Sequence, residues 1–212
     1  MYASLADARA EGITVSQASD DRLRLLIDEA SRSIDRMTGW FFDPRQLDMW
    51  LDGRGTPTVE LPVHPIRLDR LIVVGTEWST QSDQLVVVGG PVQATVPMPR
   101  LTLRHGLTFP RGHANILATG LWGLTEDDGS PTGRTPLDIR RACLLLVMAH
   151  LPPLGDLDAS ADARNRWRIV EERTRDQSYK LSPAPNGKNL TGDPEVDEIL
   201  ARYLRPAGLG AV

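Results

Sequence analysis

The chain has 212 residues, a formal net charge of −4 and a single cysteine. That length allows one domain with an elaboration or two small ones, and it buries roughly 70 % of the unfolded surface without staples. An intrachain disulfide is excluded, and the acidic balance argues against a general nucleic-acid binder, which would carry a basic excess.

Residues 1–18 are small, polar and weakly periodic, and read as an arm that orders only in an assembly. From Ser19 the pattern sharpens. Leu23, Leu26, Ile27, Ala30, Ile34 and Met37 recur at steps of three and four, which is one face of a helix. Ser19 or Asp20 caps its start, and Gly39 stands where a left-handed stop is easiest.

Between residues 43 and 130 proline and glycine recur every few positions. Short apolar or β-branched stretches lie between them, at 46–51, 58–61, 68–74, 84–88, 100–104 and 114–121. These predict short strands joined by turns, with Gly53-Arg54-Gly55 and Gly89-Gly90-Pro91 as hairpin ends. Thr135-Pro136-Leu137-Asp138 restarts a helix: threonine caps, proline fills the first turn and aspartate favours the dipole. Ile139, Ala142, Cys143, Leu146, Val147 and His150 form its expected buried stripe, and Pro152-Pro153 ends it. A further helix is expected over 159–177, then a linker over 178–192. A last short helix follows, with Val196, Ile199, Leu200 and Tyr203 as its stripe. About a dozen residues are marginal as an isolated helix, so that stripe needs a cover.

The expected fold class is α+β. A bundle of about three to four helices carries an inserted small antiparallel β module and an extended C-terminal segment. The expected division is 1–42 for the arm and first helix, 43–130 for the β module, 131–178 for the remaining helices and 179–212 for the linker and last helix.

Motifs of catalysis are absent from the sequence. The four histidines, His64, His105, His113 and His150, show no metal-ligand spacing, and Cys143 in an apolar run reads as a buried small hydrophobe. There is no nucleophile elbow, zinc-protease helix motif or phosphate loop. The acidic groups Asp20-Asp21 and Asp193 with Glu195, Asp197 and Glu198 fall at helix starts, and Glu126-Asp127-Asp128 falls in a loop without calcium-loop spacing. The sequence thus predicts no catalytic residue, no metal and no cofactor. No basic segment followed by an apolar run opens the chain, and the apolar run 142–149 is too short to cross a bilayer. Trp40, Phe41, Phe42 and Trp122 read as a plug between bundle and β module.

The motif order carries a resemblance. MTGWFFDPR (37–45), ELPVHPIRLDRLIVVG (60–75), LATGLWGL (117–124) with PLDIRRACLLLVMAHL (136–151), and SYKLSP (178–183) with TGDPEVDEILARYLRP (191–206) appear in sequence. Together they resemble the head–tail connector, or adaptor, proteins of long-tailed double-stranded DNA phages and gene transfer agents. The resemblance implies a structural virion protein of the neck, made in the host cytoplasm, and not an enzyme. It implies a homo-oligomeric ring, twelve-fold, beneath the portal protein. The ring joins the head to the stopper or tail-completion protein and lets DNA pass without sequence-specific binding or a membrane. It places portal binding on Tyr179, Leu181, Val196, Ile199, Leu200, Tyr203 and Leu204. Two other readings of the residues stay open. One is a ligand- or glycan-binding β module with a concave site around Trp50, Trp78 and Trp122. The other is a direct grip on DNA by Arg100, Arg104 and Arg111.

Overall fold

A computed structural model describes residues 1–81, 83–89, 98–151, 171–174, 177–180 and 190–204. The chain divides into two compact units, one of Met1–Gly39 with Leu137–Leu204, the other built on Trp40–Pro136.

The first unit is helical. Helix α1 spans Leu5–Ala10, α2 Asp20–Thr38, α3 Leu137–Ala149 and α4 Pro194–Ala201. The expectation of an unordered arm is corrected: α1 lies within residues 1–18. Ser4 and Asp7 form a reciprocal capping box at its start. Tyr2, Ala3, Ala8, Ile13 and Ala18 are buried, and the Tyr2 backbone N–H donates to Ser31 Oγ at 3.0 Å. The Tyr2 hydroxyl donates to Asp35. Helix α2 follows the predicted stripe from Leu23 to Ile34, with Met37 only half-buried, Ser19 as cap and Gly39 left-handed at φ 74°. Ser31 and Thr38 extend the buried face; each hydroxyl donates to the carbonyl four residues back, at 2.7 and 2.8 Å.

Helix α3 differs from its expected stripe. Ile139, Ala142, Cys143, Leu144 and Val147 are buried, whereas Leu146 is half-buried and His150, past the helix end, is exposed. Leu144 widens the buried face, and α3 packs against both α2 and α4. Residues 152–170, where most of the expected 159–177 helix falls, lie outside the described residues. Its last part is corrected: β8 (Glu171–Thr174) pairs antiparallel with β9 (Gln177–Lys180). No apolar residue stands between Val170 and Tyr179, so a helix there would have no stripe to bury.

The second unit is all β among the described residues. Its strands are β1 (Arg45–Gly53), β2 (Thr58–Glu60), β3 (Pro65–Val73), β4 (Thr76–Trp78), β5 (Leu85–Val88), β6 (Arg100–Leu103) and β7 (Gly112–Trp122). One antiparallel sheet has the order β1-β7-β3-β4 and a second the order β2-β6-β5. Strand β7 is central, and Ile116, Ala118, Gly120 and Trp122 alternate onto one buried face. Gly53-Arg54-Gly55 is not a hairpin end, because β1 pairs with β7 and the chain crosses from one sheet to the other after Gly53. Strand β4 was not expected. It follows a two-residue turn in which Val74 and Gly75 both take positive φ, 50° and 75°. Such turns are ordinarily signalled by Asn-Gly or Asp-Gly, and Val-Gly hides this one.

Candidate functional site

The expected portal-binding residues fall in three different settings. Val196, Ile199 and Leu200 are buried in this chain, with Val196 and Leu200 at 0 % exposure, and α4 packs on α3 and α2. In the free chain the cover that this stripe needs is its own bundle, α3 and α2. Tyr203 is half-buried, and its hydroxyl donates to both carboxylate oxygens of Asp138 at 2.9 and 3.0 Å. Leu204 is half-buried. Tyr179 lies in β9, and Leu181 lies outside the described residues.

The start of α4 is closely tied. Asp193 caps it, with Pro194 in the first turn. The buried carboxylate of Asp197 accepts from the Leu190 N–H at 3.2 Å, the Thr191 N–H at 2.8 Å and the Thr191 hydroxyl at 2.7 Å. Three donors offset the desolvation of that charge. Sequence reasoning placed Asp197 among the acids of a helix start and missed that it ties the lead-in, although the Thr-Gly-Asp-Pro run ahead of it was there to see.

Trp40, Phe42 and Trp122 are buried and Phe41 half-buried, all in the β unit. The Trp122 indole N–H donates to the Leu47 carbonyl at 3.0 Å, and the Arg45 guanidinium lies 4.5 Å from the Phe41 ring centroid. The glycines beside Trp122 are required by close backbone approach. A Cβ on Gly120 would meet the Arg67 carbonyl oxygen at 2.3 Å, and one on Gly123 the Asp43 carbonyl oxygen at 2.6 Å.

The three-tryptophan concave site is not formed. Trp122 is fully buried, Trp78 stacks on Phe109 with centroids 6.1 Å apart, and Trp50 stands 63 % exposed. Trp50 instead borders a groove of about 560 Å³ with Asp52, Arg54, Glu60, Met98 and Arg100. Arg100 pairs with Glu60 at 3.3 Å through a terminal nitrogen, while its buried Nε lacks a partner among the described residues. Asp52 accepts the Ala114 N–H at 2.7 Å, which holds its carboxyl below the usual range; His113 adds a bond at 3.1 Å.

Elsewhere the titratable groups read as structural. Burial pushes the Cys143 thiol up to about 11, and Ser31 Oγ lies 3.7 Å away. Burial lowers His64, against a backbone bond at Pro65 that raises it. His105 and His113 are exposed. The acidic loop closes on itself: Glu126 and Arg134 pair at 2.8 Å and bridge through their backbones. Asp127 accepts the Gly129 N–H and Asp128 the Ser130 N–H, each at 2.9 Å. Among the described residues no cluster of three His, Cys, Asp or Glu could hold a metal, and no helix is long and apolar enough to cross a membrane.

No protein-family model matches the sequence, and no curated protein does. Solved structures do. A chain in the neck of an empty gene transfer agent particle, computed with C6 symmetry, is 16 % identical; the match covers 99 % of this chain and 93 % of that one at a TM-score of 0.54. A chain in the neck of the native particle, computed with C12 symmetry, is 15 % identical over 98 % and 91 %, at 0.52. A chain in the native virion is 16 % identical over 99 % and 93 %, at 0.53. At such identity the likeness is one of fold, and it extends over nearly the whole chain. This chain therefore has the α+β fold of a gene transfer agent neck chain, in agreement with the head–tail connector resemblance of its motif order.

Proposed function

We propose that this chain is a structural neck protein, an adaptor that forms a twelve-fold ring beneath the portal and joins the head to the stopper and tail. DNA passes through the ring; no reaction is catalysed. The observation that carries this reading is a fold match covering 99 % of this chain and 93 % of a chain from a particle neck, with relatives in C6 and C12 assemblies. The motif order supports it independently.

Portal contact is assigned to Tyr179, Leu181 and Leu204, which flank α4. Val196, Ile199 and Leu200 hold the helical unit together in the free chain, and Tyr203 is engaged with Asp138. Repetition around a ring multiplies a weak single contact through avidity, so a few apolar side chains per subunit suffice.

Electron microscopy of particles from cells expressing the chain, labelled with an antibody against it, tests the reading. The label is expected at the head–tail junction, on a twelve-fold ring. Label on the head surface or tail tip, or particles that lack the chain, would overturn it.

A further inference from the structure

The β unit carries opposite charge at the two ends of its longest ladder. Strands β1 and β7 pair from Arg45 with Trp122 at one end to Gly53 with Gly112 at the other. Those ends lie roughly 26 Å apart at about 3.3 Å per residue.

The Gly53 end is basic. Backbone bonds tie Gly55 and Thr56 to Phe109, and Pro57 to Leu103, so Arg54, Arg104 and Arg111 stand around one turn. All three are exposed and form no close ion pair among the described residues, though the Asp52 carboxylate lies within electrostatic reach of Arg54. The groove with exposed Trp50 is lined by Arg54 of these three, with Asp52 and Glu60 on its wall, and there the buried Nε of Arg100 has no partner among the described residues. Tryptophan and arginine are the side chains most enriched where protein partners bind tightly.

The Trp122 end is acidic. The chain leaves β7, bonds Leu124 N–H to the Phe41 carbonyl, and enters the loop closed by Glu126 and Arg134. Since Glu126 and Arg134 neutralise each other, Asp127 and Asp128 present two exposed negative charges at its tip. Bonds to Gly129, to Ser130 and between Thr125 and Thr132 hold that tip in one shape. Asp127 accepts one bond in this way and Asp128 also takes the Ser130 hydroxyl, and both keep acceptor capacity for an arginine.

We infer that the Asp127-Asp128 loop of one copy docks against the Arg54, Arg104, Arg111 and Trp50 surface of the next copy, joining subunits head to tail. The inference rests on the neck reading and deepens it by naming the contact between ring neighbours. Two different complementary patches on one chain make a heterologous contact, which closes into a ring when its rotation divides a full turn. A DNA backbone would also suit the arginines, but it would leave the preorganised acidic loop without a role.

The test uses two double variants of the full chain, Arg54→Glu with Arg111→Glu, and Asp127→Lys with Asp128→Lys. Self-association is read by sedimentation velocity over a concentration series. Each double variant alone is expected to raise the midpoint concentration by about tenfold or more. An equimolar mixture is expected to recover to within about threefold of the unaltered chain, because each reversed patch then meets a complementary partner. Variants that associate normally, a mixture that does not recover, or an unaltered chain that stays monomeric throughout would overturn the inference. Normal association with loss of low-salt DNA binding in the arginine variant would also overturn it, in favour of DNA. The four side chains are exposed, and thermal melts check that the variants fold; should a melt shift, Arg54→Gln and Asp128→Asn replace the reversals. Variants that enter particle necks as readily as the unaltered chain would sink this contact and leave the neck reading standing.

Discussion

In the helical unit part of the polar bonding is local, beside ties such as Tyr2 N–H to Ser31 across 29 residues and the Tyr203 hydroxyl to Asp138 across 65. Ser31 and Thr38 donate to carbonyls four residues back, and Asp197 binds donors six and seven residues away. In the β unit the corresponding bonds reach far along the chain. The Trp122 indole meets Leu47 across 75 residues, and Gly53 N–H donates to Asn115 Oδ1 across 62. Each helix can thus form its own bonding before the first unit closes, whereas in the β unit even the strands must close long loops before β7 finds both of its partners. A single deletion at the centre of the β unit should accordingly disturb more than one in the helical unit.

The largest expected effect is Trp122→Ala. It empties a fully buried site and orphans the Leu47 carbonyl, so chemical denaturation should show a loss of about 3–5 kcal/mol. A loss below about 1 kcal/mol would remove Trp122 from the core and break the contrast.

The next effect is one of pH in the helical unit. The folded Cys143 thiol is raised from 9.0 to about 11, so the folded state holds its proton where the unfolded state releases it. The stabilisation is complete below pH 9 and is lost as pH rises towards 11, about 2–3 kcal/mol in all. Comparing the pH slope of the natural chain with that of Cys143→Ala isolates this term. Equal slopes would show that the thiol is not shielded.

Asp197→Ala should cost about 1–3 kcal/mol, since the Leu190 and Thr191 donors lose their acceptor. Hydrogen exchange at those two amides should accelerate while exchange in α2 stays unchanged. Uniform acceleration across both segments would make Asp197 part of the global core and not a local tie.

The smallest effect is Trp50→Ala. With 63 % of the side chain exposed, stability should change by less than about 0.5 kcal/mol, while self-association weakens. Reading both in one variant separates packing from docking.

Much of this fold was legible from the residues. The three-and-four spacing of α2 located both its start and its left-handed stop, because helix bonding is local and leaves its period in the chain. Strand positions were legible through their turns and β-branched runs, but pairing was not: nothing near Gly53 says that β1 passes over β2 to join β7. Helix α1 escaped notice although Ser4-Leu5-Ala6-Asp7 is a capping-box pattern, since a six-residue helix shows too few apolar positions for a period. The cover of the last helix was hidden for another reason. An amphipathic stripe announces that it must be buried, yet the partner is a property of the assembled fold; here α3 and α2 supply it. The candidate surface was legible in parts, as arginines and aspartates, and not as two ends of one ladder.

The three bonds that Asp197 collects have one more consequence. They rivet the Leu190–Thr191 lead-in to the first turn of α4, so the lead-in and the helix behave as one rigid piece. Should the end of the chain ever leave its bed, lead-in and first turn would move together, and the helix would persist only where another surface received Val196, Ile199 and Leu200.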